Sequence, residues 1–169
     1  FLRPISSNSE TQFSQHQLMG KNLELLQQYF YNFWKSRNAL NPETAWLEYY
    51  QEVISVNEGF STWGLKGFES DRGRVYLQYG PPNERTKYDN EPGALPFEIW
   101  EYNALEDKKE QMINPDRRQS NKKFIFYNSD FVGSKFVLIH SDARGEPSNI
   151  YWKSAVYKGN KSLNNRTSS

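Results

Sequence analysis

The sequence predicts an α+β domain in which an N-terminal helical hairpin packs on a mainly antiparallel β-sheet. Three observations lead there. Two segments between residues 23 and 60 carry apolar residues at helical spacing, and the apolar segments after Trp63 alternate with a period of two. Helices followed by strands is the α+β order. The supply of rings, 11 Phe, 11 Tyr and 5 Trp in 169 residues, means a core built from large aromatic side chains, many keeping a polar edge.

Residues 1–20, opening FLRPISSNSETQFS, read as a linker or N-terminal extension, and a chain beginning with Phe1 reads as part of something longer. From Leu23 to Arg37, Leu23, Leu26, Phe30, Phe33 and Trp34 form an amphipathic helical stripe. Asn41 before Pro42 is an N-cap with proline at the first helical position. A second helix therefore starts there, with Trp46, Tyr49, Tyr50, Val53, Asn57 and Phe60 as its expected buried face.

The run GLKG ends this helix. Arg74 to Tyr79 alternates, placing Val75, Leu77 and Tyr79 on one face of an expected first strand. Phe97 to Tyr102, Phe124 to Tyr127 and Phe136 to His140 supply three more, the last two joined by NSDFVGS with Gly133 at a position suited to positive φ. Ala104 to Lys123 is long, charged and poor in large apolar residues, and is expected to be a mobile loop. The domain is thus bounded at residues 21–158, with a polar tail over 159–169.

With 21 basic and 20 acidic residues the formal net charge is +1, so no general attraction to nucleic acid or anionic membrane follows. The absence of cysteine removes disulfides, thiolate catalysis and Cys-ligated metal. No apolar run approaches the ~18 residues of a membrane-spanning helix. No cofactor motif is present: GRVYLQYG lacks the GK[ST] of a P-loop, and His16 and His140 form no HExxH zinc spacing. NSDFVG lacks the remaining ligands of a calcium loop.

The stretch SDRGRVYLQYGPP reads first as turn, strand and turn. Ser70 and Asp71 accept from nearby amides, Gly67, Gly73 and Gly80 supply turn conformations, and Pro81 and Pro82 stop the strand, either with a cis-capable peptide bond before it. The functional alternative is an anion or peptide-carboxylate site built by Asp71, Arg72, Arg74 and turn amides. Tyr76, Trp100 and Tyr102 are either an aromatic recognition surface or core beneath the helices.

His140, Asp142 and Glu146 suggest a hydrolase or transferase site for peptide or glycan, although Ser141 points to the other strand face and no nucleophile signature accompanies them. A hydrogen-bonded histidine at a strand end is the simpler account. The basic residues Arg117, Arg118, Lys122 and Lys123 before FIFY resemble an RNA-binding strand, but lack its internal glycine and are interspersed with Glu106, Asp107, Glu110 and Asp116.

Four ordered blocks, FYNFWKSRNALNPETAWLEYYQEVISVNEGFS, GFESDRGRVYLQYGPPNE, PFEIWEY and FVLIHSDARGEPSNIYW, make the chain resemble the GWxTD-domain proteins over about Tyr29 to Trp152. The naming motif falls on Gly67, Phe68, Glu69, Ser70 and Asp71, with Phe68 replacing tryptophan and Ser70 replacing threonine. Each replacement keeps the ring or the hydroxyl. The resemblance implies an exported domain, usually the C-terminal part of a longer periplasmic or outer-membrane-associated envelope protein, found mainly in Bacteroidetes and related Gram-negative bacteria, with no catalytic residue to carry over. The expected function is a non-catalytic interaction or structural module with a protein or envelope component as partner.

Overall fold

The computed structural model describes residues 1–17, 20, 22–110, 117–128 and 135–158. In chain order these form a 3-10 turn at Arg3–Ile5, helices α1 (Asn8–Gln17), α2 (Leu23–Arg37) and α3 (Pro42–Phe60), a second 3-10 turn at Gly67–Glu69, and helix α4 (Asp71–Tyr79). Strands β1 (Glu84–Tyr88), β2 (Phe97–Leu105), β3 (Gln119–Asn128) and β4 (Phe136–Ser141) follow, then helix α5 (Trp152–Lys158). The sheet is an antiparallel meander in the order β1-β2-β3-β4. Among the described residues the architecture is therefore α+β, with helices preceding the sheet.

Strand parity divides the sheet into two faces. Trp100, Tyr102, Phe124, Phe126 and Leu138 face α2–α4 and join Phe33, Trp34, Tyr49, Val53, Val56, Phe60, Val75 and Leu77 in the main core. Phe97 and Leu95 pack with Val156 on the opposite face, where α5 covers part of the sheet. A β-bulge changes the parity of β4. Ile125 pairs with His140 while Phe126 pairs with Leu138, so two residues of β4 advance against one of β3. His140 consequently joins the α5 face, whereas Ser141, fully buried and paired with Phe124, lies on the core face.

The expected strand at Arg74–Tyr79 is instead the helix α4. Ser70 is its N-cap, accepting from Gly73 N at 3.0 Å, and Gly80 ends it at φ 83°. Arg72, Val75, Leu77, Gln78 and Tyr79 are all buried, because α4 is wedged between α3, β4 and the N-terminal turn. A helix covered on nearly every side shows no single apolar stripe, so the alternation of Val75, Leu77 and Tyr79 mimicked a strand. The first strand is actually the polar edge segment ERTKY. Every described peptide bond is trans, including those before Pro81 and Pro82.

The α3 stripe is rotated from the expected one: Tyr49, Val53, Val56 and Phe60 are buried, whereas Tyr50 is exposed and Trp46 half-buried. On α2 only Phe33 and Trp34 of the stripe are buried, with Phe30 half-buried against them and Leu23 and Leu26 exposed. Residues 1–17, expected as linker or extension, hold a buried Ile5 and a capping box in which Ser7 N donates to Glu10 Oε2 and Glu10 N to Ser7 Oγ. Arg37 fastens this segment to α2: its guanidinium donates to both Glu10 oxygens at 2.9 Å and to Ile5 O at 2.7 Å. Of the expected loop over 104–123, residues 104–105 and 119–123 are strand. Gly133, the hairpin loop at 129–134 and the tail at 159–169 lie outside the described residues.

Candidate functional site

The segment Gly67–Asp71 is a joint. A Cβ on Gly67 would lie 2.1 Å from Val56 O, and one on Gly73 only 1.9 Å from Gly67 O. Glycine is thus required at both positions by backbone-to-backbone approach, not by positive φ. Ser70 Oγ donates to Gly67 O at 2.6 Å while accepting from Gly73 N, and Phe68 N donates to Asn57 Oδ1 at 3.2 Å. Asp71, in the first turn of α4, accepts from Leu138 N at 2.7 Å and so ties the helix N-terminus to β4. Gly67, Ser70, Gly73 and Gly80 therefore hold structural positions, though around a helix.

Arg72 and Arg74 leave the same helix in different directions. Arg72 runs under the sheet, where its guanidinium meets Glu98 at 3.0 Å and lies 4.3 Å from the Phe136 ring centroid. Glu98, 1% exposed, also accepts from Arg85 Nε and Nη2 and from Trp100 Nε1, each at 3.0 Å. Burial alone would raise the Glu98 pKa, but the Arg85 hydrogen bonds, the charges of Arg72 and Arg85 and the Trp100 N–H outweigh it and hold the carboxyl below its ordinary value. Burial is also the largest influence on Arg72 and lowers its pKa against the opposing pull of Glu98. This is a cross-braced ion cluster between α4, β1 and β2.

Arg74 points into an open cleft of about 810 Å³ bounded by Ser7–Ser9, α4, residues 107–110 and the loop after β4. Its guanidinium grips Glu146 with two bonds of 2.8 and 2.7 Å, and Tyr79 Oη donates to the same carboxylate at 2.7 Å. Gln78 accepts from Arg74 at 3.1 Å and donates to Asp107 at 3.0 Å. Burial raises the Asp107 pKa despite hydrogen bonds from Lys109 N and Gln78. Burial, with the charge and hydrogen bond of Glu146, raises Tyr79 strongly, so this phenol stays neutral and donating. The network locks the floor of the cleft together, and Arg74 is one of its links.

Trp100 and Tyr102 are 0% and 2% exposed, and Tyr102 Oη donates to Gly80 O at 3.0 Å. As core residues they present no ring to a partner, because the helices need an apolar sheet face to cover. Tyr76 is half-buried against Phe60.

His140, Asp142 and Glu146 do not converge. Glu146 belongs to the Arg74 cleft, whereas His140 and Asp142 border a separate cleft of about 390 Å³ on the α5 side of the sheet. His140 Nδ1 accepts from Asn149 N at 3.0 Å, Asp142 Oδ1 accepts from Lys123 N at 2.7 Å, and Ser141 Oγ donates to Lys123 O within the core. Strand alternation turns Ser141 away from its neighbours, and the β4 bulge, invisible in the sequence, is what sends it to the core face. Among the described residues no group of three His, Asp or Glu side chains is arranged to hold a metal.

The basic stretch is matched by acids: Arg117 pairs with Glu110, Arg118 with Glu106 and Lys123 with Glu101. Sequence inspection missed the outward face of the hairpin. Leu47 is 56% exposed and Tyr50 43%, beside half-buried Phe30, Trp46 and Ile54. The Phe30, Trp46 and Tyr50 rings adjoin in series at 5.0 Å centroid spacing. The signal was the surplus of rings on both helices, more than one core-facing stripe accommodates. No described helix is long and apolar enough to cross a membrane.

The family model described as the GWxTD domain matches residues 2–156, nearly the whole chain. No curated protein and no solved structure matches it.

Proposed function

This chain belongs to the GWxTD-domain family, and we propose that it is a non-catalytic interaction module of a bacterial envelope protein, docking a basic protein segment on the outer face of α2 and α3. The carrying observation is the exposed Leu26, Leu47 and Tyr50 on that face, with half-buried Phe30 and Trp46 between them and the core. Contiguous exposed apolar residues of this kind are a usual mark of a protein contact.

Charge selects the partner. From Asn38 to Leu65 the chain carries Glu43, Glu48, Glu52 and Glu58 and no lysine or arginine, with Glu43 and Glu58 on the Tyr50 side of α3 and Glu48 and Glu52 on the opposite side, beside Arg37 and Lys108. A segment with apolar anchors flanked by Lys or Arg complements that face, and its association slows as salt screens the charges. The groups once candidates for chemistry point the same way. Arg72, Arg74 and Glu146 are tied into structural bonds, and His140 with Asp142 lies across the sheet from them. The envelope setting follows the resemblance of the sequence blocks to this family.

A photo-crosslinking residue in place of Tyr50, introduced in cells, tests the proposal. The expected product is one predominant protein adduct, lost on adding Leu47→Glu. An equal adduct from position 87, on edge strand β1, or turnover through a covalent intermediate at His140 or Glu146, would contradict it.

A further inference from the structure

The cleft on the α5 face is independent of the hairpin surface and has a different chemistry. Its wall is aromatic: Tyr88 stacks on Phe97 at 4.4 Å with an interplanar angle of 8°, and Phe97 meets Trp152 at 5.8 Å. Phe97 is buried as the floor, while Tyr88 and Trp152 stand half-buried at the rim. At the polar end His140 and Asp142, two residues apart, both border the cleft, on the face to which the β4 bulge turns His140. Because His140 Nδ1 accepts the Asn149 N–H, the neutral ring carries its proton on Nε2. That Nε2 has no partner among the described residues, and neither has Asp142 Oδ2, since Lys123 N occupies Oδ1.

We propose that this cleft is a binding site for a neutral sugar. A donor and an acceptor side by side complement neighbouring hydroxyls, and the rings complement the apolar C–H face of a pyranose. Anionic ligands meet Asp142 and Glu91 at the cleft edge, and cationic ones meet Lys123 and Lys153. A purely apolar ligand leaves the Nε2 donor and the Oδ2 acceptor without partners. An extended peptide has a better site elsewhere, along the outer edge of β1, where backbone hydrogen bonds add a strand. The volume of about 390 Å³ suits one or two sugar rings.

The test is a titration of the ¹⁵N-labelled chain with maltotriose, cellotriose and chitotriose up to about 20 mM, a range that captures millimolar affinity. The expected result is that at least one shifts the Trp152 indole and the amides of residues 97, 125, 140 and 142 and leaves those of residues 46–50 unmoved. Asp142→Asn keeps an acceptor for Lys123 N and replaces the free oxygen by a donor, so it weakens that sugar about tenfold or more without altering the rest of the spectrum. Trp152→Ala weakens it as well. No shift at these residues with any of the three sugars overturns the proposal, as does an unchanged affinity in a folded Asp142→Asn chain. Shifts produced at the same residues by a neutral tripeptide and not by sugars assign the cleft to peptide and overturn it too.

Discussion

Replacing Gly73 by alanine tests the joint between α3 and α4. At an open helical position this change stabilises by roughly 0.5–1 kcal/mol, because alanine loses less backbone entropy. At Gly73 the new Cβ falls 1.9 Å from Gly67 O and 2.7 Å from both Gly67 C and Val56 Cγ1. An unstrained carbon-to-oxygen contact is about 3.3 Å, so the backbone must open by more than about 1 Å. Overpacking of this kind costs about 1–3 kcal/mol. The same movement pulls on the Ser70 Oγ and Ser70 N bonds to Gly67 O, at 2.6 and 3.1 Å, each contributing about 1 kcal/mol. Allowing for the helix gain, the net loss is about 2–4 kcal/mol, or roughly 5–15 °C in Tm for a domain of this size. Urea and thermal unfolding followed by circular dichroism measure it. Gly59→Ala is the control, since nothing lies within 4 Å of its Cβ in α3, and it is expected to raise stability by about 0.5–1 kcal/mol. A Gly73→Ala chain as stable as wild type, or more so, refutes the steric account.

The Glu98 cluster gives the pH dependence. Its folded pKa is below the unfolded value, so its contribution is complete above the unfolded carboxylate pKa, near ~4.3, and is lost as pH falls through the lower folded value. Glu98→Gln, leaving Arg72 and Arg85 against a neutral amide, is expected to lower neutral-pH stability by about 3–5 kcal/mol and to flatten the acid limb of the urea-midpoint profile. A destabilised variant with an unchanged acid limb would separate Glu98 from the pH effect. Ser70→Ala removes the α4 N-cap and is expected to cost about 1–2 kcal/mol in urea unfolding; no change would show that the cap is not needed. Trp63→Ser, at a fully exposed ring, should leave the urea midpoint within about 0.5 kcal/mol of wild type.

The α2–α3 hairpin was legible because both helices carry large apolar residues at the right period and α3 has a start signal at Asn41 and Pro42, and β2, β3 and β4 because ring-rich alternation marks a half-covered sheet. What misled was burial on more than one side. α4 carries Ser70 as N-cap and Gly80 at its end, both proper helix punctuation, yet Gly73 and the alternating Val75, Leu77 and Tyr79 spoke for turn and strand. β1 was silent because an edge strand of Glu84, Arg85, Thr86, Lys87 and Tyr88 has no buried face to advertise. At the candidate sites, chemistry was legible and destination was not. Arg72 and Arg74 are two residues apart, which on a strand means one face and on a helix means divergence, so one braces Glu98 and the other Glu146. The positions of His140 and Ser141 depend on a bulge that no residue type announces.

The central claim is that the Gly67–Gly80 segment builds the fold while the outer face of α2–α3 recognises the partner. Its most direct test measures urea stability and partner crosslinking in the same pair of variants, Ser70→Ala and Leu26→Glu plus Leu47→Glu, each carrying the photo-crosslinking residue at position 50. The account predicts a double dissociation, with Ser70→Ala less stable but still crosslinked while folded, and the surface pair as stable as wild type but uncrosslinked. Loss of the partner from folded Ser70→Ala, with crosslinking retained in the surface pair, would make the motif the recognition site and contradict it.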